Sequence, residues 1–151
     1  MLLPTRELAM QVFDTLRKFA DRHEMSAGLI IGGKSLKEER ELLYRMNILV
    51  ATPGRLLQHL ESTQYFDADN LKLLVFDEVD RMFDMGLQDE VSQILDYFPL
   101  KQLQLMFFSA TVSPQIQKLV GSLAGSFESF LLSEARTPVK LLQHYMIVPL
   151  E

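Results

Sequence analysis

Leu73-Leu74-Val75-Phe76-Asp77-Glu78-Val79-Asp80 is the stretch whose reading decides the fold. Four apolar residues without polar alternation describe a short strand buried on both faces, and three acids crowd its tip. Carboxylates held that close repel one another, and a divalent cation relieves the repulsion. An acid after an apolar strand is the Mg²⁺-holding element of many nucleotide hydrolases, and a neighbouring carboxylate can position or deprotonate a water. The same letters also read as a solvated strand-to-helix turn with an Asp cap, and the eight residues alone do not separate the two.

Outward from this run, similar apolar stretches recur at 29–31, 48–51 and 103–108, and helical stretches lie between them. Thr5 is placed to cap a helix whose apolar positions Leu8, Val12, Leu16 and Phe19 step by three and four residues. Further helices are expected over 36–44, 54–61 and 87–97, and from Pro114, a residue suited to a first helical turn. This alternation predicts an α/β domain, an open parallel sheet with helices on both faces and right-handed crossovers. Ligands of such sheets sit at the carboxyl ends of the strands, where the acids fall. Met1-Leu2-Leu3 reads as the end of a strand with nothing before it to pair, Arg136-Thr137-Pro138 as a linker, and residues 143–149 as a strand with no partner after it. One lobe of a longer protein accounts for all three.

The 151 residues, 48% hydrophobic and 23% charged, suit one globular domain. No apolar run reaches the roughly 18–20 residues of a membrane span, and no membrane partner is expected. Without cysteine there is no disulfide framework and no thiolate zinc site. His23, His59 and His144 are too scattered to read as metal ligands, and Lys37-Glu38-Glu39-Arg40-Glu41 reads as a solvated helix face. The net charge of −5 argues against a broad basic footprint for nucleic acid. It leaves room for a local cradle of backbone N–H groups and a few Arg side chains.

Four companions accompany the acids. Phe107-Phe108-Ser109-Ala110-Thr111 is a second apolar strand, tipped with two hydroxyls that can reach the acids from a neighbouring strand. Pro4-Thr5-Arg6-Glu7-Leu8 and Thr52-Pro53-Gly54-Arg55 each put a Thr and an Arg at a strand-to-helix junction, where free N–H groups and the helix dipole favour phosphate. Gly32-Gly33 allows close backbone approach, or is only a turn.

In this order the five elements resemble the DEAD-box family of ATP-dependent RNA helicases, over nearly the whole chain. Asp80-Arg81-Met82-Phe83-Asp84-Met85-Gly86-Leu87 also looks like the helix that follows the acids in that family. The resemblance implies a RecA-like lobe, here incomplete, over 1–135, with 136–151 as interdomain linker and start of a second lobe. It implies ATP and Mg²⁺ as cofactors: Asp77 holds the metal through water, and Glu78 is the acid-base group that orients the attacking water. Asp80, Ser109 and Thr111 couple hydrolysis to unwinding. Thr5, Arg6, Gly32, Gly33, Thr52, Gly54 and Arg55 hold the RNA backbone without reading sequence, Arg55 as a phosphate contact whose loss lowers the salt dependence of binding. The third letter of the acid motif is Ala in the family and Val79 here, a change expected to be tolerated.

Residues 28–34, 47–60 and 137–143 look like those of a nucleolar DEAD-box helicase of small-subunit ribosomal RNA processing. That implies a nuclear, nucleolar location, otherwise cytoplasmic, and pre-ribosomal protein partners. A noncatalytic RNA- or protein-binding module from a truncated helicase is the alternative, and a DNA-directed helicase is disfavoured by the two Thr-and-Arg junctions. The family's Gly-Lys-Thr loop, expected before Pro4, and the arginine fingers of the second lobe, expected after Glu151, are outside these residues. Phosphoryl transfer depends on both. The 151-residue chain by itself is therefore expected to show no ATPase activity; RNA-stimulated phosphate release by the purified chain would refute this.

Overall fold

The structure, a computed structural model, describes residues 1–132 except 44, 65, 67, 68 and 124–126. The expected linker at Arg136-Thr137-Pro138, the strand expected at 143–149 and His144 lie outside the described residues. Among the described residues four strands, β1 (Ala27–Ile30), β2 (Ile48–Ala51), β3 (Leu73–Phe76) and β4 (Gln104–Phe107), alternate with six α-helices. These are α1 (Arg6–Ala20), α2 (Leu36–Leu43), α3 (Pro53–Ser62), α4 (Val79–Asp84), α5 (Gln88–Asp96) and α6 (Pro114–Leu123).

All the pairing is parallel. β1 lies in register with β2 from Ala27↔Ile48 to Ile30↔Ala51, and β3 with β4 from Leu73↔Gln104 to Phe76↔Phe107. Residues 1–3 join the two pairs. Leu2 bridges in parallel to Ala51 on one side and Phe76 on the other. Its N–H donates to Val75 O at 2.7 Å and its carbonyl accepts from Asp77 N at 3.0 Å, while Leu3 N donates to Ala51 O at 3.0 Å. The N-terminal stretch that reads as unpaired is thus paired on both edges and is the central strand. From it the chain winds outward to β1 and back through β2, then crosses to β3 and β4. The winding direction reverses at residues 1–3, the switch point where such sheets open a crevice at their carboxyl ends.

Strand periodicity sends alternate residues to opposite faces, and two cores result. Leu2, Ile30 and Ala51 face a core shared with α3, α4, α5 and α6, including Leu56, Met82 and Ile94. Their neighbours Leu3, Ile31 and Val50 face α1 through Ala9, Val12 and Phe13. Helices therefore cover both faces, as the uninterrupted apolar strands require. Val79 is 1% exposed and sits inside the larger core, so its two extra methyl groups are packed where the β3 strand meets the turn. Among the described residues no helix is long and apolar enough to cross a membrane.

The charge run of α2 departs from expectation. Glu39 is 2% exposed rather than solvated. Its partners on α3 are described below.

The Met1 ammonium donates to Leu49 O at 2.7 Å from a buried position. Burial disfavours the charged amine and lowers its pKa from 8.0 to about 6.

Candidate functional site

Two groups of side chains gather at the carboxyl ends of the strands. The first lines an open cleft of about 530 Å³ that includes Thr5, Arg6, Gly32, Thr52, Gly54 and Arg55. Six of the seven residues expected to hold a nucleic-acid backbone thus share one surface. Gly33 is beside it, under Arg6. The local causes differ from residue to residue. Thr5 is extended (φ −124°, ψ 156°) and its hydroxyl accepts from Leu8 N at 3.3 Å, so this side chain is engaged as the α1 cap. Thr52 holds the same place before α3 but makes no capping bond with its side chain, and Pro53 supplies the first helical turn without an N–H.

Arg6 is exposed, and among the described residues it has no ion-pair partner. Its guanidinium lies across Gly32 and Gly33. A Cβ on Gly32 would stand 2.9 Å from Arg6 Nη2, and one on Gly33, at φ +94°, 3.1 Å from Nη1. The two glycines leave the gap that seats this cation. Gly54 differs, since a Cβ there would meet nothing within 4 Å. No packing inside the chain requires glycine at that position.

Arg55 is placed unexpectedly. It lines the cleft but is only 9% exposed, and its guanidinium donates inward. Nε donates to Glu39 Oε2 at 2.6 Å, Nη1 to Gln58 Oε1 at 2.9 Å and Nη2 to the Lys34 carbonyl at 2.6 Å. The same Glu39 oxygen accepts from His59 Nε2 at 2.9 Å, and His59 Nδ1 meets Thr63 Oγ1 at 2.8 Å. Glu39, Gln58, His59 and Thr63 escape a reading by motif. The available signal is spacing: residues 55, 59 and 63 step by four and share one side of α3.

The second group is the acid tip. β3 and β4 end level, with Phe108 N donating to Phe76 O at 2.8 Å and Val79 N to Phe108 O at 3.0 Å. The rings of Phe76 and Phe107 stack beneath, centroids 4.9 Å apart. This register brings Asp80 to the hydroxyls of the second strand. Asp80 Oδ2 accepts from Thr111 N and Thr111 Oγ1, both at 2.9 Å, and Ser109 Oγ accepts from Asp80 N at 3.3 Å. Burial pushes the Asp80 carboxyl up, but bonds from the Thr111 hydroxyl, the Arg81 N–H, Ser109 and the Thr111 N–H outweigh it and hold the pKa below 3.8.

Asp77 Oδ1 accepts from Glu78 N at 3.0 Å, which fixes one side of that carboxylate. Glu78 occupies the left-handed region at φ 50°, ψ 51°. That conformation costs a side-chain-bearing residue roughly 1–2 kcal/mol and turns the chain sharply from β3 into α4. Its Oε2 is 3.3 Å from Arg81 Nη1 in an exposed pair of little energetic weight. Among the described residues no three His, Cys, Asp or Glu side chains form a metal cage. Asp77 and Glu78 supply only two adjacent carboxylates. Such a donor set fits Mg²⁺, which keeps several waters and takes its other ligands from phosphate oxygens.

Comparison with known proteins shows the family. Residues 1–119 match the DEAD/DEAH box helicase family. The chain belongs to this family. The ATP-dependent RNA helicase dbp4 of Sclerotinia sclerotiorum is 53% identical over 99% of this chain, and DBP4 of Gibberella zeae is 50% identical over 99%. The chain spans 19% of the length of each. A DEAD box protein from Methanococcus jannaschii superposes with a TM-score of 0.78 at 34% identity, over 84% of this chain and 34% of that one. A hypothetical ATP-dependent RNA helicase from Sulfolobus tokodaii gives a TM-score of 0.71 at 30% identity, over 84% and 38%. The α/β fold with its parallel sheet is thus the RecA-like fold of DEAD-box helicase domains.

The hydroxyl arm of the Asp80 clamp can be tested alone. Thr111→Val removes the Oγ1 donor and keeps the N–H, so the Asp80 pKa should climb back toward 3.8. Carboxyl NMR titration reads it directly; an unchanged midpoint would show that the Thr111 hydroxyl contributes nothing.

Proposed function

We propose that this chain is part of an ATP-dependent RNA helicase, one that couples ATP hydrolysis to RNA binding and unwinding. Residues 1–135 contribute to its nucleotide-binding lobe, and 136–151 lead toward a second lobe. The observation that carries the reading is the cleft. It combines an exposed Arg6 guanidinium with no ion-pair partner among the described residues, a Thr52 hydroxyl that makes no capping bond at its helix start, and bare backbone at Gly54. These groups suit phosphate and ribose rather than base edges, so binding is independent of sequence. An acidic chain with one such patch binds RNA locally, without a basic face.

In this reading Mg²⁺-ATP supplies the phosphoryl group and its charge neutralisation. Asp77 would hold the ion, and Glu78 would orient the attacking water and take its proton. The strained turn at Glu78 fits such duty, since strain of this kind gathers at functional sites. Asp80, Ser109 and Thr111 tie the acid tip to β4 and are the candidates for coupling. The names of the relatives support RNA as the substrate; a role in ribosomal RNA processing, with pre-ribosomal partners and a nucleolar location, rests on the resemblance of residues 28–34, 47–60 and 137–143 alone.

Two substitutions in the full-length protein test the reading. Glu78→Gln should abolish RNA-stimulated hydrolysis and leave RNA binding intact. Gly54→Ala should leave the melting temperature the same or slightly higher, because Gly54 is helical and space is open there, yet weaken binding of single-stranded RNA of any sequence, because the methyl group would stand where a phosphate approaches. Hydrolysis at the parental rate in Glu78→Gln, or undiminished RNA affinity in Gly54→Ala, would defeat the corresponding assignment.

A further inference from the structure

Arg55 sits at the cleft, yet its cation is spent inside the chain. Its side chain is 8% exposed and that of Glu39 is 2% exposed, at an Nε–Oε2 distance of 2.6 Å. A guanidinium has five N–H donors in a fixed fork. Three are committed here, to a carboxylate, an amide and a carbonyl. These acceptors come from three places: α2, α3 and the loop after Gly33. Glu39 also accepts from Ile31 N at 3.4 Å through its other oxygen. His59, 0% exposed, donates to the same Oε2 as Arg55. A carboxylate only accepts, so His59 Nε2 carries the proton, and Thr63 Oγ1 faces the opposite ring nitrogen. Glu39 is thereby aimed at Arg55 from behind.

We infer that Arg55 is not a phosphate ligand but a positioning residue, locked inward by Glu39 and His59, that fixes the Gly32-Gly33-Lys34 loop against the start of α3 and so sets the width of the cleft. The inference rests on the cleft's being the RNA surface. Charge neutralised within the chain releases no counterion from RNA, so the lock contributes geometry and leaves the salt dependence alone. Arg6, unpaired and exposed on the other side of the same loop, is the cation that meets phosphate.

The lock and a latent phosphate contact predict opposite signs. Glu39→Leu removes the acceptor and frees the guanidinium. In the full-length protein, with a single-stranded oligouridylate and affinity expressed per folded molecule, the lock predicts binding weaker by roughly tenfold, the scale on which loss of a supporting residue is felt at other sites. The slope of log affinity against log salt stays unchanged. His59→Leu, which cannot touch RNA, weakens binding likewise, and Glu39→Gln, which keeps an oxygen for Arg55 Nε, restores most of it. Arg6→Ala instead flattens the salt slope by about one. Tighter binding or a slope steeper by about one in Glu39→Leu would overturn the inference, as would wild-type affinity in His59→Leu.

Proton exchange at Arg55 Nε keeps this separate from the RNA reading. The lock requires slow exchange in the free protein and faster exchange in His59→Leu. If oligouridylate does not bind even the parent, the RNA reading falls, and slow exchange still upholds the lock. Fast exchange in the parent overturns it whatever RNA does.

Discussion

The parallel insertion of residues 1–3 between β2 and β3 holds this structure together. Without Leu2 there are two separate two-stranded ladders, each too small to stand alone. With it, one sheet forms and both faces become continuous. Leu2 and Leu3 are each 0% exposed and point into opposite cores, so a single dipeptide anchors α1 on one side and the α3–α5 layer on the other. Full burial of two leucines stabilises by about 1.5–3 kcal/mol each. The positional consequence is larger. The strand runs straight into Pro4, Thr5 and Arg6, and its register with Ala51 and Phe76 puts Leu3 level with Thr52 on one side and Asp77 on the other, with Pro4, Thr5 and Arg6 just beyond.

The cleft and the acid tip are therefore two halves of one edge. The segment 1–3 lies between them, and α4 links them a second time. It begins at the strained Glu78 and the clamped Asp80 and ends at Met85, which with Leu87 forms a wall of the cleft. A shift of Asp80 against Thr111 would be carried along a helix of six residues to the cleft wall. Buried Val79 and Met82 hold that helix to the core, so it moves as a body.

Much of this was legible in the sequence, for identifiable reasons. Strands buried on both faces have no choice but to be apolar, so 48–51 and 73–76 declare themselves. Thr5 announces α1 because an extended residue with a hydroxyl is what the first free N–H groups need. What could not be read is where a polar side chain finds its partner. Glu39 sits among charged neighbours and looks solvated. Its burial depends on Arg55 and His59, 16 and 20 residues away, brought to it by the β1–β2 pairing. For the same reason Arg55 looked like a phosphate contact. A motif gives the residue type at a junction and not the direction in which a flexible cation turns, and here the stronger local acceptor is inside.

Of the two arginines at the cleft, Arg55 is buried and Arg6 exposed, although the chain as a whole is acidic. With a net charge of −5, long-range attraction to a polyanion is absent, and free guanidinium groups would be drawn to nearby acids. Glu39 pairs with Arg55 through Nε, which keeps this charge off the surface, and the bond from Arg55 Nη2 to the Lys34 carbonyl ties the loop. That loop contains Gly32 and Gly33, whose missing side chains seat Arg6 flat against the backbone and away from any carboxylate. With Glu39 engaged by Arg55 and His59, the Arg6 guanidinium has no ion-pair partner among the described residues.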